Sequence, residues 1–314
     1  MTRALVFPGQ GSQEVGMGKA LAERFPIARE IFVQADDALG FALSRIIFEG
    51  PDEELRKTAV TQPAIMTASI AALTVLRREH GVGENPAYAA GHSLGEYTAL
   101  VAAGVLGFAD AIRLVHVRGS LMQEAAPEGT GAMAAILGLE DDVIREICNE
   151  VAPNKECQPA NFNAPGQVVV SGLAASVREF IETAKTRGAK RAILLNVSAP
   201  FHSVLMRGVA DRLAEEFERC SWSDALFPVV ANVSAAAVNS VADIRKSLYE
   251  QTYSPVLWTT SVGYMVDMGV SLFAEIGPGT VLSGLIKRCR KGLTTVSACD
   301  PESLEEVANV LRNN

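Results

Sequence analysis

Short apolar runs of strand length alternate with segments of helical period along the whole 314-residue chain. This alternation restricts the fold more than any other feature. Strands separated by helices pack as a mainly parallel sheet with helices on its faces, an α/β architecture. Residues 4–7 and 87–91 read as strands, the second built of small side chains. Residues 60–78 read as a long helix with Thr61 as cap and Pro63 in the first turn, and residues 108–124 as a second helix. The run 271–274 reads as a strand, and Glu275-Ile276-Gly277-Pro278-Gly279-Thr280 as a β–α turn.

The middle of the chain follows another pattern. Strands are expected at 131–137, 157–163, 167–172 and 192–197, and helices at 140–150 and 174–187. The order is β-α-β-β-α-β, the ferredoxin-like unit. Residues 129–197 are therefore expected to form a small domain. It is inserted into a larger, discontinuous domain made of residues 1–128 and 198–314. A chain of this length fits two domains at about 100–200 residues each.

Composition excludes several classes. Hydrophobic residues make up 48% of the chain, which removes disordered and collagen-like readings. The net charge of −8 argues against general nucleic-acid binding, which needs a basic face for phosphates. The five cysteines form no C-x-x-C pair and are irregularly spaced. Reduced thiols in the cytoplasm are expected, rather than a disulfide frame or metal site. Glycines follow Met1–Pro8 at once, so no signal-peptide stretch is expected. The apolar run 64–76 is interrupted by Thr67, Ser69 and Thr74 and reads as too short and polar to span a bilayer. A monomer without membrane attachment is the default.

The strongest chemical signal is Gly91-His92-Ser93-Leu94-Gly95, between a strand and a helical run. That context is the one a G-x-S-x-G nucleophile elbow requires. The glycines admit a tight turn, and the serine lands at a helix N-terminus, where free N–H groups favour developing negative charge. A serine nucleophile needs a base. Of the four histidines, His92 adjoins the serine and should point elsewhere. His80 ends a helix in a capping position, and His116 shares the polar stripe with Arg113 and Ser120. His202, in Ser198-Ala199-Pro200-Phe201-His202-Ser203, sits between a strand and a helix, where catalytic groups of α/β folds gather. It is the candidate base; on the residues alone, a packed core histidine stands beside that reading.

Arg118 falls on the apolar stripe of residues 108–124, with Ala111, Leu114, Val115, Leu121 and Met122. A guanidinium buried there needs an anion. It can be a ligand carboxylate held by two N–H bonds or a distant protein carboxylate. The loop Pro8-Gly9-Gln10-Gly11-Ser12-Gln13 fails the G-x-G-x-x-G test, and no phosphate-binding G-x-x-x-x-G-K-[ST] is present, so no nucleotide is expected. It can still place Gln10 beside a reacting carbonyl.

Together these segments resemble the malonyl-CoA:acyl carrier protein transacylase family. The resemblance rests on the Phe7–Gln13 loop, Thr61-Gln62-Pro63-Ala64, Gly91-His92-Ser93-Leu94-Gly95-Glu96, Val117-Arg118-Gly119, Pro200-Phe201-His202-Ser203 and Glu275-Ile276-Gly277-Pro278-Gly279. It implies an α/β-hydrolase-like large domain with an inserted ferredoxin-like small domain. It also implies ping-pong malonyl transfer from malonyl-CoA to an acyl carrier protein in fatty-acid synthesis, with no cofactor. Ser93 would be the nucleophile and His202 the base, with the Gln10 and Leu94 N–H groups as oxyanion hole. Arg118 would bind the malonate carboxylate, and the Gln251 carbonyl would orient His202. Gln62, Asn161, Met122 and Phe201 would line the pocket. In related modular enzymes, Phe beside the histidine accompanies malonyl, which Phe201 matches; Pro200 departs from the usual Ala. The basic stretches Lys287-Arg288-Cys289-Arg290-Lys291 and Lys185, Arg187, Lys190, Arg191 are candidate carrier-protein contacts. The alternatives are a serine esterase or thioesterase with water as acceptor, for which Asp110, Asp141 and Asp142 are the available acids, and a non-catalytic scaffold.

Overall fold

The computed structural model describes residues 1–83, 85–125, 129–197 and 199–313. Its strands are β1 (Thr2–Phe7), β2 (Tyr88–Gly91), β3 (Gly131–Leu137), β4 (Cys157–Ala164), β5 (Gln167–Leu173), β6 (Arg191–Leu194), β7 (Val229–Val230), β8 (Ala237–Val238), β9 (Val270–Ile276) and β10 (Thr294–Ala298). They form two sheets. The larger has the order β10-β9-β1-β2-β7-β8 and is parallel except for the final β7–β8 pair. Its central strands are buried on both faces, with the apolar runs 4–7 in β1 and 272–274 in β9, as a sheet covered by helices requires.

The second sheet has the order β4-β5-β3-β6 and is antiparallel throughout. The helices Asp141–Val151 and Ala174–Thr186 pack on one face through Ile144, Ile147, Val177 and Phe180. Met133, Ala160 and Val169 cluster with Phe201 on the other. This is the expected ferredoxin-like order, carried by an α/β-hydrolase-like sheet. The last strand stops at Leu194, three residues before the expected 197, although the Leu195 N–H still bonds the Met133 carbonyl at 2.9 Å. The expected domain boundaries abut Glu128 and Ser198, which lie outside the described residues.

The long helix runs Thr58–Arg78 and begins three residues before Thr61. Thr61 is therefore not its cap; it is fully buried, and its hydroxyl donates to the Leu55 carbonyl at 2.6 Å. By length and composition this helix could cross a membrane, unlike the shorter run read from sequence, but 89% of its apolar window is buried inside the protein. Pro63 lies inside it and has no N–H for the Ala59 carbonyl one turn earlier. His116 Nδ1, 2.8 Å away, supplies the missing donor. His116 is thus half-buried against Phe41 and not solvated as its polar stripe predicts.

Candidate active site

The chemistry gathers at the C-terminal ends of β1, β2 and β7, where ligands of open α/β sheets bind. Ser93 follows β2 with φ 52° and ψ −104°, and the helix Leu94–Ala102 starts immediately after it. The flanking glycines are required by space. A Cβ on Gly91 would lie 1.9 Å from the Gly95 carbonyl, and one on Gly95 would lie 2.1 Å from the Phe7 oxygen. Positive φ at a serine costs ~1–3 kcal/mol and persists only where neighbours hold it. Here the Ser93 N–H donates to Asn232 Oδ1 at 2.7 Å, and Gln251 Nε2 donates to the Ser93 carbonyl at 3.0 Å. Asn232 Nδ2 also donates to the Gly91 carbonyl at 2.7 Å.

Ser93 Oγ lies 2.7 Å from His202 Nε2. The other ring nitrogen, Nδ1, is 2.9 Å from the Gln251 carbonyl. A carbonyl only accepts, so the proton sits on Nδ1 and Nε2 presents a lone pair to the serine hydroxyl. Burial first, and then the Arg118 charge, push the His202 pKa down to about 3, against the opposing pull of the Gln251 carbonyl. The imidazole is therefore a neutral proton acceptor at physiological pH. No acid orients it among the described residues. Asp110 bonds Arg113 at 2.9 Å and the Ser221 N–H at 3.1 Å, while Asp141 and Asp142 occupy the first turn of their own helix. The thioesterase reading thus lacks the acid that hydrolases on this fold usually supply.

Arg118 is 1% exposed. Its Nη1 donates to Gln62 Oε1 at 2.7 Å, and its Nη2 donates to Gln251 Oε1 at 3.0 Å and to Ser93 Oγ at 3.2 Å. Gln62 Nε2 reaches Met122 Sδ at 3.7 Å, and the Tyr97 ring lies 5.2 Å from the guanidinium carbon. Among the described residues, Arg118 forms no ion pair with a protein carboxylate, and its Nε has no partner. Neutral amides hold the cation and leave its charge for a ligand. Glu96 acts on that charge only from across the Gln251 amide, and a bound carboxylate would supply the direct partner that the guanidinium lacks among the described residues.

These groups line a cavity of about 260 Å³. Gln10, Gln62, Met122, Ser93, Arg118 and His202 come from the large domain; Met133, Asn161 and Val169 project from the small sheet, and Phe201 closes the wall between. Asn161 is positioned by pairing across the domains: Val256 donates to the Ala160 carbonyl and accepts from the Phe162 N–H, both at 2.9 Å. The Gln10 loop lies against the elbow, since a Cβ on Gly9 would lie 2.3 Å from the His92 carbonyl. Leu94 opens its helix, and neither its N–H nor that of Gln10 has an acceptor among the described residues.

The remaining histidines take other roles. His92 turns away from Ser93, with Nε2 2.8 Å from Asn163 Oδ1 and its ring against Trp258. The His80 imidazole caps no helix carbonyl; it packs edge-on against Phe25, and its Nε2 has no partner among the described residues. Glu275, read as part of a turn, accepts from the Leu282 and Ser283 N–H groups at 3.0 and 2.7 Å and caps the helix Val281–Cys289. Asn232 and Asn163 were not anticipated. Their one sequence signal is a polar residue at a strand end, Asn232 just beyond β7 and Asn163 near the end of β4.

An elbow serine hydrogen-bonded to a histidine, beside two N–H groups without an acceptor among the described residues, is the arrangement of a serine acyltransferase or hydrolase. The chain belongs to the acyl transferase domain family, whose model matches residues 4–307. It is 48% identical over 310 residues to the malonyl CoA-acyl carrier protein transacylase of Bacillus subtilis, covering 98% of this chain and 97% of that one. It is 49% identical over 301 residues to the enzyme of that name from Escherichia coli K12, covering 96% and 97%. An acyl carrier protein S-malonyltransferase crystal structure from Vibrio cholerae superposes with a TM-score of 0.95 at 46% identity, covering 98% of this chain and 100% of that one. The malonyl-transacylase PlMCAT, solved with a type II PKS acyl-carrier protein, gives 0.95 at 47% identity over 100% of both chains.

Proposed function

We propose that this chain transfers a malonyl group from malonyl-CoA to the phosphopantetheine thiol of an acyl carrier protein, through a malonyl-Ser93 intermediate, in fatty-acid synthesis. One observation carries the reading: a Ser93–His202 pair at 2.7 Å shares a cavity with a buried Arg118 whose guanidinium, among the described residues, hydrogen-bonds neutral groups and no carboxylate. His202 Nε2 takes the Ser93 proton as Oγ attacks the thioester carbonyl. The Gln10 and Leu94 N–H groups receive the oxyanion. Collapse expels the coenzyme A thiolate, which recovers the proton from His202. The carrier thiol then repeats the cycle on the acyl-serine in reverse. The acid end of malonyl docks on Arg118, which acetyl cannot exploit. Gln62, Met122, Asn161 and Phe201 enclose the acyl group, and no cofactor enters the scheme.

The carrier protein is proposed as the partner because the similar malonyl-transacylase was solved with one. Of the basic candidates, Arg187, Lys185 and Arg290 already face Glu146 and Glu150, Glu182, and Asp267. Lys190, Arg191, Lys287, Arg288 and Lys291 form no ion pair among the described residues; of these, Lys287 and Arg288 lie on the helix whose Val281, Leu282 and Leu285 line the cavity, and Arg288 bonds Gln167, another lining residue. They are the proposed contact. Five free cysteines fit a reducing cytoplasm. The division into residues 1–128 with 198–314 and an inserted 129–197 domain is part of the same proposal.

Intact mass after mixing with malonyl-CoA should show one malonyl adduct, absent in Ser93→Ala. Added pantetheine thiol should discharge it faster than water does. Discharge to water unaffected by thiol would instead make the protein a thioesterase, and no adduct would make it a scaffold.

A further inference from the structure

Glu96 is 2% exposed, lies beneath the elbow and has no part in the scheme above. A single oxygen, Oε2, accepts from the Asn232 N–H and from Gln251 Nε2, both at 2.9 Å. Gln251 is fully buried, and its amide faces three groups. The nitrogen end meets Glu96 Oε2 and, at 3.0 Å, the Ser93 carbonyl; the oxygen end meets Arg118 Nη2 at 3.0 Å. Turned the other way, its oxygen would confront two acceptors and its NH₂ would confront a guanidinium N–H. The Ser93 carbonyl and an ionised Glu96 offer no proton to that oxygen, so with Glu96 ionised only one orientation is satisfied; burial raises the Glu96 pKa to about 7, so the ionised form prevails above neutrality.

We infer that Glu96 is a positioning residue that fixes which way the Gln251 amide lies, aims the Gln251 oxygen at Arg118, and thereby sets the preference for acid-bearing acyl groups. The chain of contacts runs from Glu96 through Gln251 Nε2 and Oε1 to the guanidinium. It is separate from the Gln251 backbone carbonyl that holds His202. Selectivity and base orientation therefore leave the same residue through different atoms. Glu96 also holds Asn232, which in turn pins the Ser93 N–H. A purely structural role would act through that second arm and would affect every acyl group equally.

The inference rests on the acyl-transfer reading, and the experiment separates the two. Acylation kcat/KM for malonyl-CoA and acetyl-CoA is measured by rapid-quench intact mass on the full chain, with thermal melts as a control for folding. A wild type that forms no adduct overturns the acyl-transfer reading itself. Given that adduct, Glu96→Ala should lower the malonyl-to-acetyl ratio by about tenfold, the range of coupling between contacting polar residues. Glu96→Gln, whose amide oxygen can occupy the Oε2 position and accept both bonds, should restore most of the ratio. In a Gln251→Met background, where the relay is gone, Glu96→Ala should change the ratio no further. An unchanged ratio in Glu96→Ala would overturn the inference. So would an equal loss for both acyl groups, or an undiminished effect in the Gln251→Met background. If Glu96→Ala does not fold, Glu96→Asp decides, since its shorter side chain withdraws the carboxylate from Gln251 Nε2: a lowered malonyl-to-acetyl ratio supports the relay, and an unchanged ratio or an equal loss for both acyl groups contradicts it.

Discussion

The reactive end and the acid-binding end of this cavity are held in different ways. Ser93 and His202 both sit at positive φ, and the ring is oriented by a main-chain carbonyl. Arg118 is oriented by two side-chain amides, Gln62 and Gln251, at 2.7 and 3.0 Å. Backbone geometry thus carries the acyl-transfer chemistry, while side chains carry the choice of acyl group. Gln62 belongs to the second end alone, whereas Gln251 and Arg118 also reach the first, through the Ser93 carbonyl and Oγ at 3.0 and 3.2 Å. The first end has less freedom, because the elbow turn and the carbonyl that orients His202 are set by the path of the chain, with Asn232 and Gln251 pinning Ser93 in place.

Substitutions that reach only one end test this contrast. The largest effect is expected at the elbow. Gly95→Ala drives a Cβ to 2.1 Å from the Phe7 oxygen, so the elbow and the Gln10 loop must move apart. Displacing reacting groups by about 1 Å costs roughly 10²-fold, and acylation by malonyl and acetyl donors should fall alike. Parallel kcat/KM measurements check this; a loss confined to malonyl would break the contrast. A smaller, selective effect is expected from Gln62→Leu, which removes one hydrogen bond to the buried guanidinium. Such bonds contribute about 1.5–3 kcal/mol, so malonyl kcat/KM should fall roughly 10- to 100-fold while acetyl changes little. An equal fall for acetyl would show that Gln62 also supports the reactive end.

Legibility in the sequence followed the same division. The elbow could be read because strand, glycines, serine and helix are contiguous. Arg118 could be read because the stripe it interrupts lies within one helix, Phe108–Glu124. Asn232 could not: it is 139 residues from Ser93, and only the sheet order β1-β2-β7 makes them neighbours. Thr61 was mistaken for a cap because the helix around it is buried on nearly every side, so no polar boundary marks its start. His116 looked solvated because the carbonyl it satisfies was freed by Pro63 on another helix. Gln251 had no chemical signal of its own in the sequence and entered through family resemblance; its side-chain role became visible only from the packed site. The small domain was legible as a pattern of elements, whereas the side of its sheet that faces the cavity was set by packing against the large domain.

The central claim is that Ser93 is esterified by an acyl group whose acid end docks on Arg118. The direct test is the rate of Ser93 acylation by malonyl-CoA and acetyl-CoA in wild type and Arg118→Ala, followed by rapid-quench intact mass. Malonyl acylation should fall by roughly 10²-fold or more in Arg118→Ala, with acetyl acylation within about tenfold of wild type. Equal losses for both acyl groups, or a malonyl rate that survives the substitution, would contradict the account.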